Sequence, residues 1–106
     1  MPKYLIQATY TAEGAKGLLA EGGTKRREAA AKAVKAAGGK VEAFYFCFGT
    51  SDAIVVVDLP DNMSAAGVAL AINASGLVTS NTTVLLTAAE IDEATKKGYP
   101  YRGPGQ

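Results

Sequence analysis

Few side chains in this sequence could do chemistry. Gln7, Tyr10, Tyr45 and Asp52 are polar residues set in or beside apolar runs, and Cys47 is the one thiol. Asp52 could accept a proton or bind a cationic group, provided a second polar side chain converges on it; Gln7, Tyr10 and Tyr45 are the candidates. Each has a structural role as its rival. Gly49, Ser51 and Asp52 read as a turn motif in which glycine permits positive φ and the aspartate bonds its own backbone. Tyrosines on strands commonly serve as core or interface residues with a satisfied hydroxyl. Cys47, between Phe46 and Phe48 in a run expected to be buried, reads as an inert small hydrophobe. The sequence contains no histidine. That removes Ser-His-Asp and Cys-His machinery, proximal-histidine haem and histidine-bearing zinc sites, and neither a metal nor a cofactor is expected. Gly22-Gly23-Thr24 before a helix is the nearest thing to an anion cradle, and it lacks the pattern of a phosphate loop.

A chain of 106 residues buries enough surface to fold as one domain without metals or disulfides. A net charge of +1 argues against nucleic acid as a partner. The charge is unevenly spread: Met1 to Lys40 carries eight basic and three acidic residues, the remainder three basic and seven acidic. Lys25-Arg26-Arg27 reads as part of a solvated helix face. No leader-like stretch or membrane-length apolar run is visible, so a cytoplasmic protein without membrane contact is expected.

These residues must be positioned by regular elements. Lys3–Tyr10 is rich in β-formers and ends at Thr11, a good N-cap. Gly14, Gly17 and Gly22-Gly23 predict only a short or frayed helical turn after it, with a restart at Thr24. Lys25–Ala37 is a helix with Ala30, Ala33, Val34 and Ala37 as its apolar stripe, stopped by Gly38-Gly39. Val41–Phe48 and Ala53–Leu59 read as a hairpin joined by a tight turn at Gly49–Asp52. A second helix runs from Asp61 or Asn62 to Ala74, with Ala65, Val68, Ala69 and Ile72 on one face and Gly76 as terminator. Leu77–Thr87 is a fourth strand, and Ala89–Lys97 a last helical turn or two. Residues 1–97 form the single domain and 98–106 a Gly/Pro-rich tail, whose Tyr99 and Tyr101 could tuck over a pocket or a second copy.

The order β-α-β-β-α-β predicts an α+β, ferredoxin-like arrangement, a four-stranded antiparallel sheet with helices on one face. Strict alternation would place Val41, Ala43, Tyr45 and Cys47 opposite Phe44, Phe46 and Phe48, while Ala53, Val55, Val57 and Leu59 oppose Ile54 and Val56. Both faces are then apolar. A homodimer packed through the sheet face is the expected remedy.

The run Gln7-Ala-Thr-Tyr-Thr-Ala-Glu-Gly14, then Gly38-Gly-Lys-Val-Glu-Ala-Phe-Tyr45, then Phe48-Gly-Thr-Ser-Asp52 with Ala-Ile-Val-Val-Val-Asp-Leu-Pro-Asp61 resembles the GYD-domain family of small bacterial proteins. The resemblance covers Lys3 to about Glu90. It implies a dimeric α+β barrel and no established activity. The family's naming motif is Gly-x-Tyr-Asp, and Ser51 stands here at the tyrosine position.

Two functions follow. The first is a non-catalytic binding or structural module, holding a small apolar or aromatic ligand between sheet and helices or offering a surface to a protein partner. The alternative is a cofactor-independent enzyme, monooxygenase- or isomerase-like, as other dimeric α+β barrels include.

Overall fold

Thr11 sets the first corner of the chain. In the computed structural model, which describes residues 1–106, the strand β1 (Lys3–Tyr10) ends there and the helix α1 (Ala12–Glu21) begins. The Thr11 hydroxyl accepts from the Gly14 amide at 3.2 Å and donates to the Gly76 carbonyl at 3.0 Å. Glu13 adds a negative charge to the first turn, where the helix dipole favours it. The expectation of a short or frayed turn is corrected: α1 is a full ten-residue helix. Its glycines did not prevent it, because the cap and the docking of Gly14 outweigh their propensity cost of about 1 kcal/mol each. Gly22, at φ 84°, closes α1 by donating its amide to the Leu18 carbonyl at 2.8 Å. The helix α2 (Gly23–Ala36) follows at once.

The remaining elements are β2 (Lys40–Phe46), β3 (Ala53–Asp58), α3 (Asn62–Ala74), β4 (Val78–Leu85) and α4 (Ala88–Thr95). The strands form one antiparallel sheet in the order β2-β3-β1-β4. The chain is therefore α+β with a four-stranded antiparallel sheet. Asp61 caps α3 by accepting from the Ser64 amide at 2.8 Å, and Gly76, at φ 72°, follows its end as expected.

The helices α2 and α3 cover one face of the sheet. Tyr4 and Ile6 from β1, Val55 and Val57 from β3, Val34 from α2 and Ala65 and Val68 from α3 share a single core with Leu59. Tyr4 is 1% exposed, and its hydroxyl donates to the Asn62 side chain at 2.6 Å, tying the strand to the start of α3. Gly39 lies so close to the Asp58 carbonyl that a Cβ there would fall on it. Only glycine admits that approach.

One prediction about the faces is corrected. The register shifts between Val41 and Ala43, so Glu42 is an extra residue in β2: Val41 pairs with Val57, and Ala43 with Val56. This bulge reverses the alternation. Val41 accordingly joins Phe44 against the core, rather than facing away with Ala43 and Tyr45. On the uncovered face the pairing aligns Leu5 with Val56 and Thr83, and Gln7 with Ile54 and Asn81. That face is apolar at Ala43 and Tyr45 of β2, Ile54 and Val56 of β3 and Leu5 of β1, and polar over the rest of β1 and over β4.

At one end of the uncovered face the Lys3 ammonium donates to Glu42 at 2.7 Å and to Asp58 at 2.9 Å. The hydrogen bond from Lys3 and its charge hold the Asp58 carboxyl below the usual carboxylate range, against an opposing desolvation cost. A pKa lower in the folded than in the unfolded chain stabilises the fold above about pH 4, and that contribution is lost as pH falls through the folded value. Asp58→Asn should therefore flatten the acid limb of a plot of melting temperature against pH. An unchanged limb below pH 4 would show that the cluster contributes nothing.

The two sheet edges differ. The β2 edge carries the bulge and the charged Lys40 and Glu42. The β4 edge pairs with β1 over eight residues without interruption and has no charged side chain. Beyond β4 the chain leaves the body. Thr87 and Glu90 form a complete capping box for α4, yet none of its residues is buried. The radius of gyration is 16.8 Å and the extents 56 × 33 × 22 Å, against about 13 Å for a compact domain of similar length. No helix is long and apolar enough to cross a membrane.

Candidate functional site

Between the sheet and its helices lies an apolar slot of about 70 Å³, with 12 of its 13 lining residues hydrophobic. The sheet supplies Ile6, Ala8, Tyr10, Phe44, Ala53, Val55 and Val78; α2 supplies Ala30, Ala33 and Val34, and α3 Val68 and Ile72. The thirteenth is Arg26. Small residues create the space: alanines at 8, 30, 33 and 53 stand where larger side chains would fill it. The slot opens into a groove of about 580 Å³ between α2 and α3, walled by Ala36, Ala37, Gly67 and Ala71. Arg26, Ala33, Val68, Ile72 and Val78 line both.

Of the polar candidates, only Tyr10 reaches the slot. Burial pushes its phenol up, while the adjacent Arg26 guanidinium pulls the other way and the Asp52 and Glu21 carboxylates add a smaller upward push. Tyr10 thus stays a protonated hydroxyl at neutral pH. Asp52 does something other than expected. Its carboxylate accepts from the Tyr10 backbone amide at 2.9 Å, and its own amide donates to the Ala8 carbonyl at 2.8 Å. Asp52 positions Tyr10 rather than bonding its own turn.

Gln7 and Tyr45 lie in register with Ile54 on the uncovered face, and Tyr45 is 71% exposed. The sheet separates them from Tyr10. The turn differs from expectation as well. The hairpin continues past β2 through Cys47, whose amide donates to the Asp52 carbonyl at 2.8 Å, and the Gly49 amide donates to the Ser51 carbonyl at 3.2 Å. Gly49 has no positive φ and open space beside its Cα, so its glycine character is not required by the turn. Cys47 is only partly buried, its thiol donating to the Ser51 carbonyl at 3.1 Å, and its neighbour Phe48 is fully exposed. The buried run expected around Cys47 is therefore not formed.

Asp52→Ala should cost about 1.5 kcal/mol, the worth of a charge-assisted hydrogen bond to a backbone amide. Asp52→Asn, which keeps an acceptor oxygen, should restore most of it. Urea denaturation reads both; equal losses would mean that the Tyr10 amide is not the partner that matters.

The GYD-domain family model matches residues 4–95. The chain belongs to the GYD-domain family. No curated protein matches it. In this GYD-domain protein the match spans the slot, the groove and every residue that lines them. No group of three or more carboxylates and thiols comes together to hold a metal ion.

The basic run Lys25-Arg26-Arg27 looks like one solvated face, yet Arg26 lines the slot and the groove. A signal was present: positions 26, 30, 33 and 37 share the helical spacing of the apolar stripe. The arginine extends that stripe by one turn.

Proposed function

We propose that this GYD-domain protein is a homodimeric, non-catalytic binding module, two ferredoxin-like copies meeting through their uncovered sheet faces as a dimeric α+β barrel. Each copy holds a small apolar ligand between sheet and helices. The observation that carries the reading is the slot itself: an apolar space beneath a wider groove, with one hydroxyl and one guanidinium at its rim. Well-packed cores leave few such spaces, and ligand sites combine apolar walls with a few polar groups in this way. Dimerisation is supported by Leu5, Ile54, Val56, Ala43 and Tyr45 standing on a face that nothing in the chain covers.

A cofactor-independent enzyme has less support. Tyr10 and Asp52 lie together, but Tyr45 is across the sheet from them and the Asp52 carboxylate is engaged with a backbone amide.

The C-terminal arm fits the same proposal. Isolated helices shorter than about 12–15 residues are marginal in water, so the eight-residue α4 needs a surface beyond its own body. A second copy supplies one. Truncation after Leu85 should then weaken the dimer and make the melting temperature depend more steeply on protein concentration. An unchanged association constant would mean that the arm docks elsewhere.

Native mass spectrometry of freshly purified protein tests the main reading. The expected result is twice the chain mass, with an additional small mass for each bound ligand. A bare monomer at micromolar concentration would overturn it.

A further inference from the structure

Arg26 is the one charged residue in the lining of both the slot and the groove. It is half-buried, and the ion pairs of the protein leave it out: they join Lys3 to Glu42 and Asp58, Lys16 to Glu13, and Lys96 to Glu93. A guanidinium against apolar walls, without a carboxylate in contact, is poised for an anion brought by the ligand, since a desolvated charge is costly until paired. The nearby acids do not serve as that partner. Asp52 is held by the Tyr10 amide, and Glu21 acts on Tyr10 only through its charge.

Two further features narrow the ligand. One guanidinium beside one neutral phenol offers donors for a planar monoanion, the geometry of a carboxylate. A phosphate dianion would leave charge uncompensated in these apolar walls. Size settles the other end of the molecule: an engineered cavity of about 150 Å³ admits benzene, and the slot offers about half of that. An alkyl chain enters such a slot and an aromatic ring does not.

We infer that the slot and groove form one site for an aliphatic carboxylate, with the head on Arg26 and Tyr10 and the chain running against Val55, Val68 and Ile72. This rests on the binding-module reading above and replaces the broader apolar or aromatic ligand with one class. The walls of the groove, built of alanine and glycine, leave room for the chain to lie between the helices. Arg26 selects the charge, and the alanines select the width.

Calorimetric titration with decanoate, decanol and 3-phenylpropanoate tests it. Decanoate should bind in the submillimolar range, and decanol at least tenfold more weakly. Arg26→Gln should weaken decanoate at least tenfold while leaving decanol unchanged. Ala33→Leu, at an exposed helix position that tolerates leucine, should abolish both by filling the mouth of the slot, with circular dichroism checking that the fold persists. Equal affinity for decanoate and decanol, or an Arg26→Gln variant with unaltered decanoate binding, would overturn the inference. If 3-phenylpropanoate bound and decanoate did not, the inference would fall while the binding module stood. If no probe bound and native mass spectrometry found no ligand, both would fall.

Discussion

Gly14→Ala should destabilise the protein by about 3 kcal/mol, at the upper end of what overpacking costs. A Cβ at Gly14 would fall on the carbonyl oxygen of Leu77, with the Leu77 carbonyl carbon also too near. Both are backbone atoms and cannot rotate away as a side-chain tip could. Relief requires α1 to lift from the α3–β4 connection, and that movement strains the hydrogen bonds that Thr11 makes to Gly76 and Leu77. Gly17, one turn further along the same helix, has nothing within 4 Å of its Cβ position. Gly17→Ala should therefore stabilise the protein by up to about 1 kcal/mol through helix propensity and the entropy of the unfolded chain. Urea unfolding of the two variants checks both signs. Similar effects from the two substitutions would mean that α1 is not seated on Leu77 as described.

The second large effect concerns assembly. Val56→Lys places an ammonium in the apolar half of the uncovered sheet face, paired with Leu5 on one side and Ala43 on the other. In the proposed dimer that charge would be buried without a partner, at a cost of about 4 kcal/mol, or roughly a thousandfold in the dissociation constant. The isolated subunit should be nearly unaffected, because the lysine then reaches water. Leu70→Lys, at a position 70% exposed on α3, should leave the association unchanged. Sedimentation equilibrium distinguishes them. A Val56→Lys variant that remained dimeric with unaltered affinity would place the interface elsewhere.

Much of this arrangement is legible in the residues. The strand and helix order follows from apolar periodicity, and its stops from Thr11, Gly38, Asp61 and Gly76. The face assignment in β2 is not legible, because a bulge is a property of pairing between strands and Glu42 is an unremarkable strand residue by itself. The persistence of α1 escaped for a related reason: Gly14 costs helix propensity locally, while its benefit is a contact with Leu77, distant in sequence. The site divided in the same way. The place of Tyr10 at the end of β1 is legible in the sequence. The partition of Gln7 and Tyr45 onto the other face follows from register, and the task of Asp52 from a backbone amide forty-two residues away. Arg26 was concealed by its basic neighbours, although helical spacing already set it apart from Lys25 and Arg27.

The unequal sheet edges set a limit on growth. An edge with free backbone groups and no charge invites another strand, whereas a bulged and charged edge repels one. Since β4 is of the first kind and β2 of the second, strand addition has one available side per molecule. Two copies that joined β4 to β4 would consume both available sides at once and present only their β2 edges to a third. Polymerisation by this route ends at its first step, so a sheet open along β4 does not commit the protein to fibres.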